Sequence, residues 1–155
     1  MNSRTLELKI PPPVVALIVG IAMWGVSRIT PSWQVAAGAR TWVALAIAAI
    51  AVAFSVSAVI SFRRARTTIN PTTPQAASSL VSSGVFAFTR NPMYVGLLFA
   101  LTAWAAFLVS GWALLGLPVF AAYIHRFQIT PEERALSALF GPKYSDYKAR
   151  VRRWL

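Results

Sequence analysis

The 155-residue chain has no cysteine, one histidine and four acidic residues against fifteen Lys and Arg. Without cysteine, disulfides, thiolate nucleophiles and thiolate metal sites are excluded, while the redox compartment stays undetermined. No metal site is expected. Charge of any kind is scarce, at 12% of residues, whereas 57% are hydrophobic. A soluble domain has about 25% charged residues, and here the few charges are clustered. The long runs between clusters are too many to bury inside a core this small, so lipid is the expected solvent. One domain fits the length, and no internal repeat is visible.

The formal net charge of +11 would point to nucleic acid in a soluble protein. No soluble basic domain is left to bind it, so nucleic acid is not expected as a partner. In a membrane protein the same excess sets topology and attracts anionic headgroups of membrane lipids.

The pattern predicts an all-α, polytopic membrane protein with four spans, at about 14–29, 41–62, 94–110 and 112–129. Pro11, Pro12 and Pro13 stop the first helix from running backwards. That segment is too proline-rich in front, and lacks the cleavage site, to read as a signal peptide. The second span is closed by Arg63, Arg64 and Arg66. Ser110-Gly111 is expected to split the last apolar block into a short hairpin. Residues 67–93 form a long loop rich in Ser, Thr and Pro, of a length that is often functional. The tail, 130–155, reads as two short helices. Thr130 is expected as N-cap, with Pro131 at the first helical position and Glu132 and Glu133 in the first turn. Gly141 and Pro142 end that helix.

Of the fifteen Lys and Arg, all but Arg28 and Arg40 fall on one side of such an arrangement, together with all four acids. The positive-inside rule makes that side cytoplasmic, carrying both termini, the loop and the tail.

Polar functional groups gather in the stretch Thr89-Arg90-Asn91-Pro92-Met93-Tyr94 and in the segment from His125 to Tyr147. A final hairpin would bring both to one end of the bundle, as walls of one pocket. Each residue alone has an ordinary reading. Glu132 and Glu133 suit a helix N-terminus, Arg90 is one more cytoplasmic cation, and Asn91-Pro92 starts turns. His125, Tyr144 and Tyr147 suit an interface.

The combination is more specific. Thr89 to Gly96, then His125-Arg126, then Glu132-Glu133 followed by Leu136, Phe140-Gly141, Tyr144 and Tyr147, resembles the integral membrane isoprenylcysteine carboxyl methyltransferases and their bacterial relatives. Phospholipid N-methyltransferases are more distant kin. The resemblance covers about 67–155 and implies a cytoplasmic S-adenosylmethionine pocket lined by Arg90, Asn91, Pro92, Tyr94, Glu132 and Glu133. His125 and Arg126 would face the carboxylate or ribose of that cofactor. Many isoprenylcysteine enzymes carry His where Asn91 stands, and Asn cannot take a proton. The resemblance further implies a lipophilic or lipid-linked acceptor and, for so short a chain, a bacterial inner-membrane protein. The identity of the acceptor and the oligomeric state are not fixed by the sequence.

Methyl transfer from a sulfonium rests on proximity, orientation and desolvation, so the shortage of ionisable groups is compatible with it. Two other readings stay open. A membrane reductase would use NADPH, and a small transporter or assembly protein would use no cofactor. Proton-coupled efflux needs an acid within the bilayer, and all four acids fall outside the expected spans.

Overall fold

The computed structural model describes residues 7–68 and 74–155. Residues 1–6 and 69–73, part of the expected loop, lie outside the described residues. The described chain is all-helical, with no strand among the described residues. Its helices are α1 (Pro12–Ile29), α2 (Ala37–Arg64), α3 (Pro92–Leu108), α4 (Gly116–Ile124), α5 (Thr130–Phe140) and α6 (Pro142–Arg150).

Two of these, α1 and α2, are long and apolar enough to cross a membrane. At 1.5 Å per residue the 28 residues of α2 reach about 42 Å, well beyond the 22 residues expected for that span. Only Ala51 and Ala58 of α2 are buried, while Trp42, Leu45, Val52, Val56 and Ile60 are exposed. A helix apolar all round and this little covered is suited to lipid on its free faces.

Helix α3 is central. α2 packs along it, and α1 and α4 also pack against it. The α2–α3 approach is close because Gly96 has no side chain. A Cβ there would overlap Ser55 Oγ and stand 3.0 Å from the Ala51 carbonyl oxygen. Small residues are the usual means of such contacts between membrane helices. The main core joins Val15, Val19 and Met23 of α1 to Tyr94, Leu101 and Ala105 of α3 and to Phe120 and Ile124 of α4. A second, smaller cluster of Ala58, Val81 and Phe86 seats the loop on α2.

The hairpin bends at Val109, one residue before the expected break. Val109 closes α3 in the left-handed region, at φ 48 and ψ 35, which is unfavourable for a β-branched residue. Tertiary contacts hold it there. Its carbonyl accepts from Trp33 N at 2.8 Å, and the buried Ser110 hydroxyl meets Thr30 Oγ1 at 3.1 Å.

The expected helix start at Thr130-Pro131 is corrected. Ile129 and Thr130 both have helical dihedrals, so Thr130 is not an N-cap, and α4 runs into α5 through a single wide turn at His125–Ile129. In that turn Thr130 N–H reaches the His125 carbonyl five residues back, a π-bulge. Pro131 explains it. Proline has no N–H and would clash with the carbonyl four residues earlier, that of Phe127. The extra residue moves this carbonyl aside, and Leu8 N–H satisfies it from outside at 3.0 Å. The Gly141 joint is as expected, at φ +52 with Pro142 opening α6.

Candidate functional site

A cavity of about 490 Å³ lies between the starts of α1 and α3, the end of α2, α5, α6 and the loop. Arg90, Asn91, Pro92, Tyr94, Glu132 and Glu133, six of the eight residues singled out from the sequence, line it. Proline at the first position of α3 fixes where that helix begins, so Tyr94 falls on its first turn. There the Tyr94 hydroxyl donates to Glu132 Oε2 at 3.0 Å.

The two neighbouring acids live in different surroundings. Glu133 is held by two guanidinium groups. Arg153 donates from Nε to Oε1 at 2.9 Å and from Nη2 to Oε2 at 2.6 Å. Arg90 Nη2 adds a bond to Oε1 at 2.8 Å. Burial pushes the Glu133 carboxyl up, but the Arg153 bonds and the charges of both arginines outweigh it and hold the group below its ordinary range. Glu133 is therefore ionised and already neutralised. Glu132 has no cation among its described partners. Burial raises it most, Tyr94 lowers it by hydrogen bonding, and Glu133 raises it further, leaving it at about 7. Glu132 is thus the cavity's unmatched acid.

Arg90 and Asn91 act first as a clamp on the tail. Arg90 Nη1 donates to the carbonyls of Lys148 and Val151, each at 3.0 Å. Its backbone N–H reaches the Arg152 carbonyl at 2.9 Å. Asn91 Nδ2 donates to the Arg153 carbonyl at 2.8 Å, and Thr89 Oγ1 to the same atom at 3.3 Å. Tyr147 completes the joint by donating to the Phe86 carbonyl at 2.7 Å. Burial pushes both Tyr144 and Tyr147 well above the ordinary phenol value, so both stay protonated.

His125 and Arg126 do not line the cavity. His125 Nε2 sits 3.1 Å from Arg153 Nη1, at the outer edge of the arginine–glutamate cluster. Arg126 pairs with Glu7 at 3.2 Å. Conversely, sequence reasoning passed over Arg153, counted only as a cytoplasmic cation, and Pro11, Pro12 and Pro13, which form part of the cavity wall. Nothing in the spacing marks them, because their role arises from long-range folding of both ends onto the α4–α5 junction.

The cavity volume falls in the range of about 300–1,000 Å³ usual for small-ligand sites. Its lining is chiefly apolar toward Phe62, Leu97 and Leu136, and its ionisable groups are Arg90, Glu132, Glu133 and the tyrosines. An unmatched carboxylate beside neutral hydroxyls suits a ligand with a cationic centre and an uncharged ring system. S-adenosylmethionine, with its sulfonium and amino groups, meets that description.

An uncharacterized protein of Haemophilus influenzae (strain ATCC 51907 / DSM 11121 / KW20 / Rd) is 46% identical over 63 residues, which are 41% of this chain and the whole of that protein. No solved structure matches the chain. A family model described as phospholipid methyltransferase matches residues 39–143, a stretch holding most of α2 together with α3, the cavity's two acids and the wide turn, and the chain belongs to that family.

Proposed function

We propose that this protein is an S-adenosylmethionine-dependent methyltransferase that works at a membrane surface on a lipophilic acceptor. The observation that carries the reading is the Tyr94–Glu132 pair, an ionisable carboxylate with no cation among its described partners, set in a cavity between polar tail and apolar helices. Bound there, S-adenosylmethionine would supply an activated methyl group, and its positive charge would be matched by Glu132. Glu133, Arg90 and Arg153 keep the tail folded as one wall. The carboxylate, the tyrosine and the wall residues do the work of orientation and water exclusion on which methyl transfer depends.

In the same reading α3 and the α4 hairpin complete a single four-span unit with α1 and α2. The cation asymmetry supports a cytoplasmic side for both termini, the cavity and the tail, and the membrane in this reading is a bacterial inner membrane. The cofactor arrives from water and the acceptor sideways from lipid. An isoprenylcysteine-type carboxylate acceptor needs no base. A phospholipid amine is the second reading, favoured by the family match.

Calorimetry on detergent-purified protein tests the cofactor. Saturable binding of S-adenosylmethionine and S-adenosylhomocysteine, absent for NADPH and weakened in Glu132→Gln, is expected. Folded, lipid-supplemented protein that binds neither adenosyl ligand would sink the proposal. For the acceptor, methyl label transferred to membrane extract separates the readings, since carboxyl methyl esters release it in mild base and N-methyl amines do not.

A further inference from the structure

The wide turn between α4 and α5 has a consequence for the cavity. An α-helix turns about 100° per residue, so one extra residue swings everything after it by that angle. Glu132 and Glu133 follow the bulge at once. Their direction into the cavity is therefore set by the bulge and not by the helix that carries them.

The bulge is held from outside its own helix. Gln128 is fully buried within it and donates Nε2 to the Ile10 carbonyl at 2.7 Å. Leu8 N–H fills the Phe127 carbonyl that Pro131 leaves without a helical donor. Glu7, next along this strap, pairs with Arg126 inside the turn and with Arg134 on α5. The strap then runs directly into Pro11–Pro13 on the cavity wall. Leu8 takes a positive φ of 58 to make these contacts, an unfavourable conformation for leucine that the surrounding bonds must outweigh. Gln128 Oε1 is buried without a partner in the described structure, so the side chain is kept at some cost in burial. A residue that served packing alone would be better replaced by an apolar one of the same size.

We infer that Gln128 is a positioning residue for Glu132, holding the bulge to the N-terminal strap so that the carboxylate faces Tyr94 and the cavity. The inference rests on the proposed cofactor role of that cavity, yet its geometric part can be tested without it.

Gln128→Met in the full chain keeps the volume and removes the bond to Ile10. Labelling with a water-soluble carbodiimide, read by mass spectrometry, follows Glu132 directly. Several-fold faster labelling at Glu132 in the variant, with Asp146 unchanged, is expected. Affinity for S-adenosylmethionine should fall about tenfold, less than the roughly hundredfold that a 1 Å misplacement can cost in rate. In a Glu132→Gln background the same substitution should cost less than about twofold, because residues acting through one another are not additive.

Equal labelling of Glu132 in both proteins would overturn the inference, whatever the ligand does. So would an equal loss of affinity in both backgrounds, which would make Gln128 a general stabiliser. Failure of the parent protein to bind would count against the proposed function alone, since labelling still decides the geometry. Should Gln128→Met not fold, Glu7→Gln loosens the strap where it pairs with Arg126 and Arg134. It is expected to shift Glu132 labelling in the same direction by a smaller factor, and no shift would overturn the inference.

Discussion

Tyr94 and Glu132 stand 38 residues apart in the chain and meet at 3.0 Å, hydroxyl to carboxylate. The bond ties the first turn of α3 to the first turn of α5. It also lowers the carboxyl against the stronger upward push of burial. Removing the hydroxyl in Tyr94→Phe should therefore raise Glu132 further, since a bond to the charged form favours that form. The expected result is a pH profile of S-adenosylmethionine binding whose acid limb moves to higher pH, with affinity at neutral pH falling several-fold. Calorimetry across pH 5.5 to 8.5 measures it, and an unshifted limb would separate Tyr94 from the carboxylate's titration.

Proton linkage gives a second test. Glu132 titrates at about 7 when folded and near its ordinary 4.5 when unfolded. Between those values the folded form holds the extra proton, so the ligand-free protein should lose stability as pH rises from about 4.5 through about 7. The difference is on the order of 3 kcal/mol at most. Glu133 has the opposite sign. Its stabilisation is present above the ordinary carboxyl range and is lost as pH falls through its lowered value. Thermal melts in detergent should decline on the alkaline side of pH 5, and Glu132→Gln should flatten that decline. A cationic ligand binding the ionised carboxylate should release protons near pH 6.5, visible as a buffer-dependent binding enthalpy.

Local signals in the sequence were reliable where the cause was local. Pro92 starts its helix at the first position, Gly141 takes the positive φ that its joint needs, and the charge clusters close α2, whereas α1 already begins at Pro12, ahead of the expected span. Thr130-Pro131 misled because the same residues suit an N-cap and, given an outside donor for the freed carbonyl, a bulge within a continuous helix. That donor is Leu8, more than a hundred residues away, and no local window contains it. Of the candidate site, the acids, the tyrosine and the Arg-Asn-Pro stretch that line the cavity were legible. The tail's Arg153 was not, because only folding brings it to Glu133.

Arg153 carries a testable share of that fold. It grips Glu133 through two bonds in fork geometry, which a lysine's single ammonium cannot reproduce. Its side chain is 33% exposed and that of Glu133 14%. The pair is therefore worth less than a fully buried one, and Arg153→Ala should cost about 1–3 kcal/mol. Arg90 remains on Glu133, so the carboxylate stays ionised and the tail loosens without the core unfolding. Limited proteolysis should show faster cleavage after residue 141 in both Arg153→Ala and Arg153→Lys. Protection equal to the parent in the lysine variant would reduce the fork to a simple charge.

Gly96 tests whether the α2–α3 approach shapes the cavity. In an exposed helix, glycine to alanine gains about 1 kcal/mol from propensity. Here the new methyl would overlap Ser55 Oγ and press on the Ala51 carbonyl, which belongs to backbone and cannot turn away. Overpacking of this kind costs about 1–3 kcal/mol, so the clash wins and Gly96→Ala should be net destabilising. Ser55 lines the cavity, so prying α2 from α3 should also widen it and weaken ligand binding. Adding Ser55→Ala removes the hydroxyl in the way but leaves the carbonyl, and should restore melting temperature only in part. Full recovery would place the whole conflict in one hydroxyl, whereas no recovery would place it in the backbone contact that brings the two helices together.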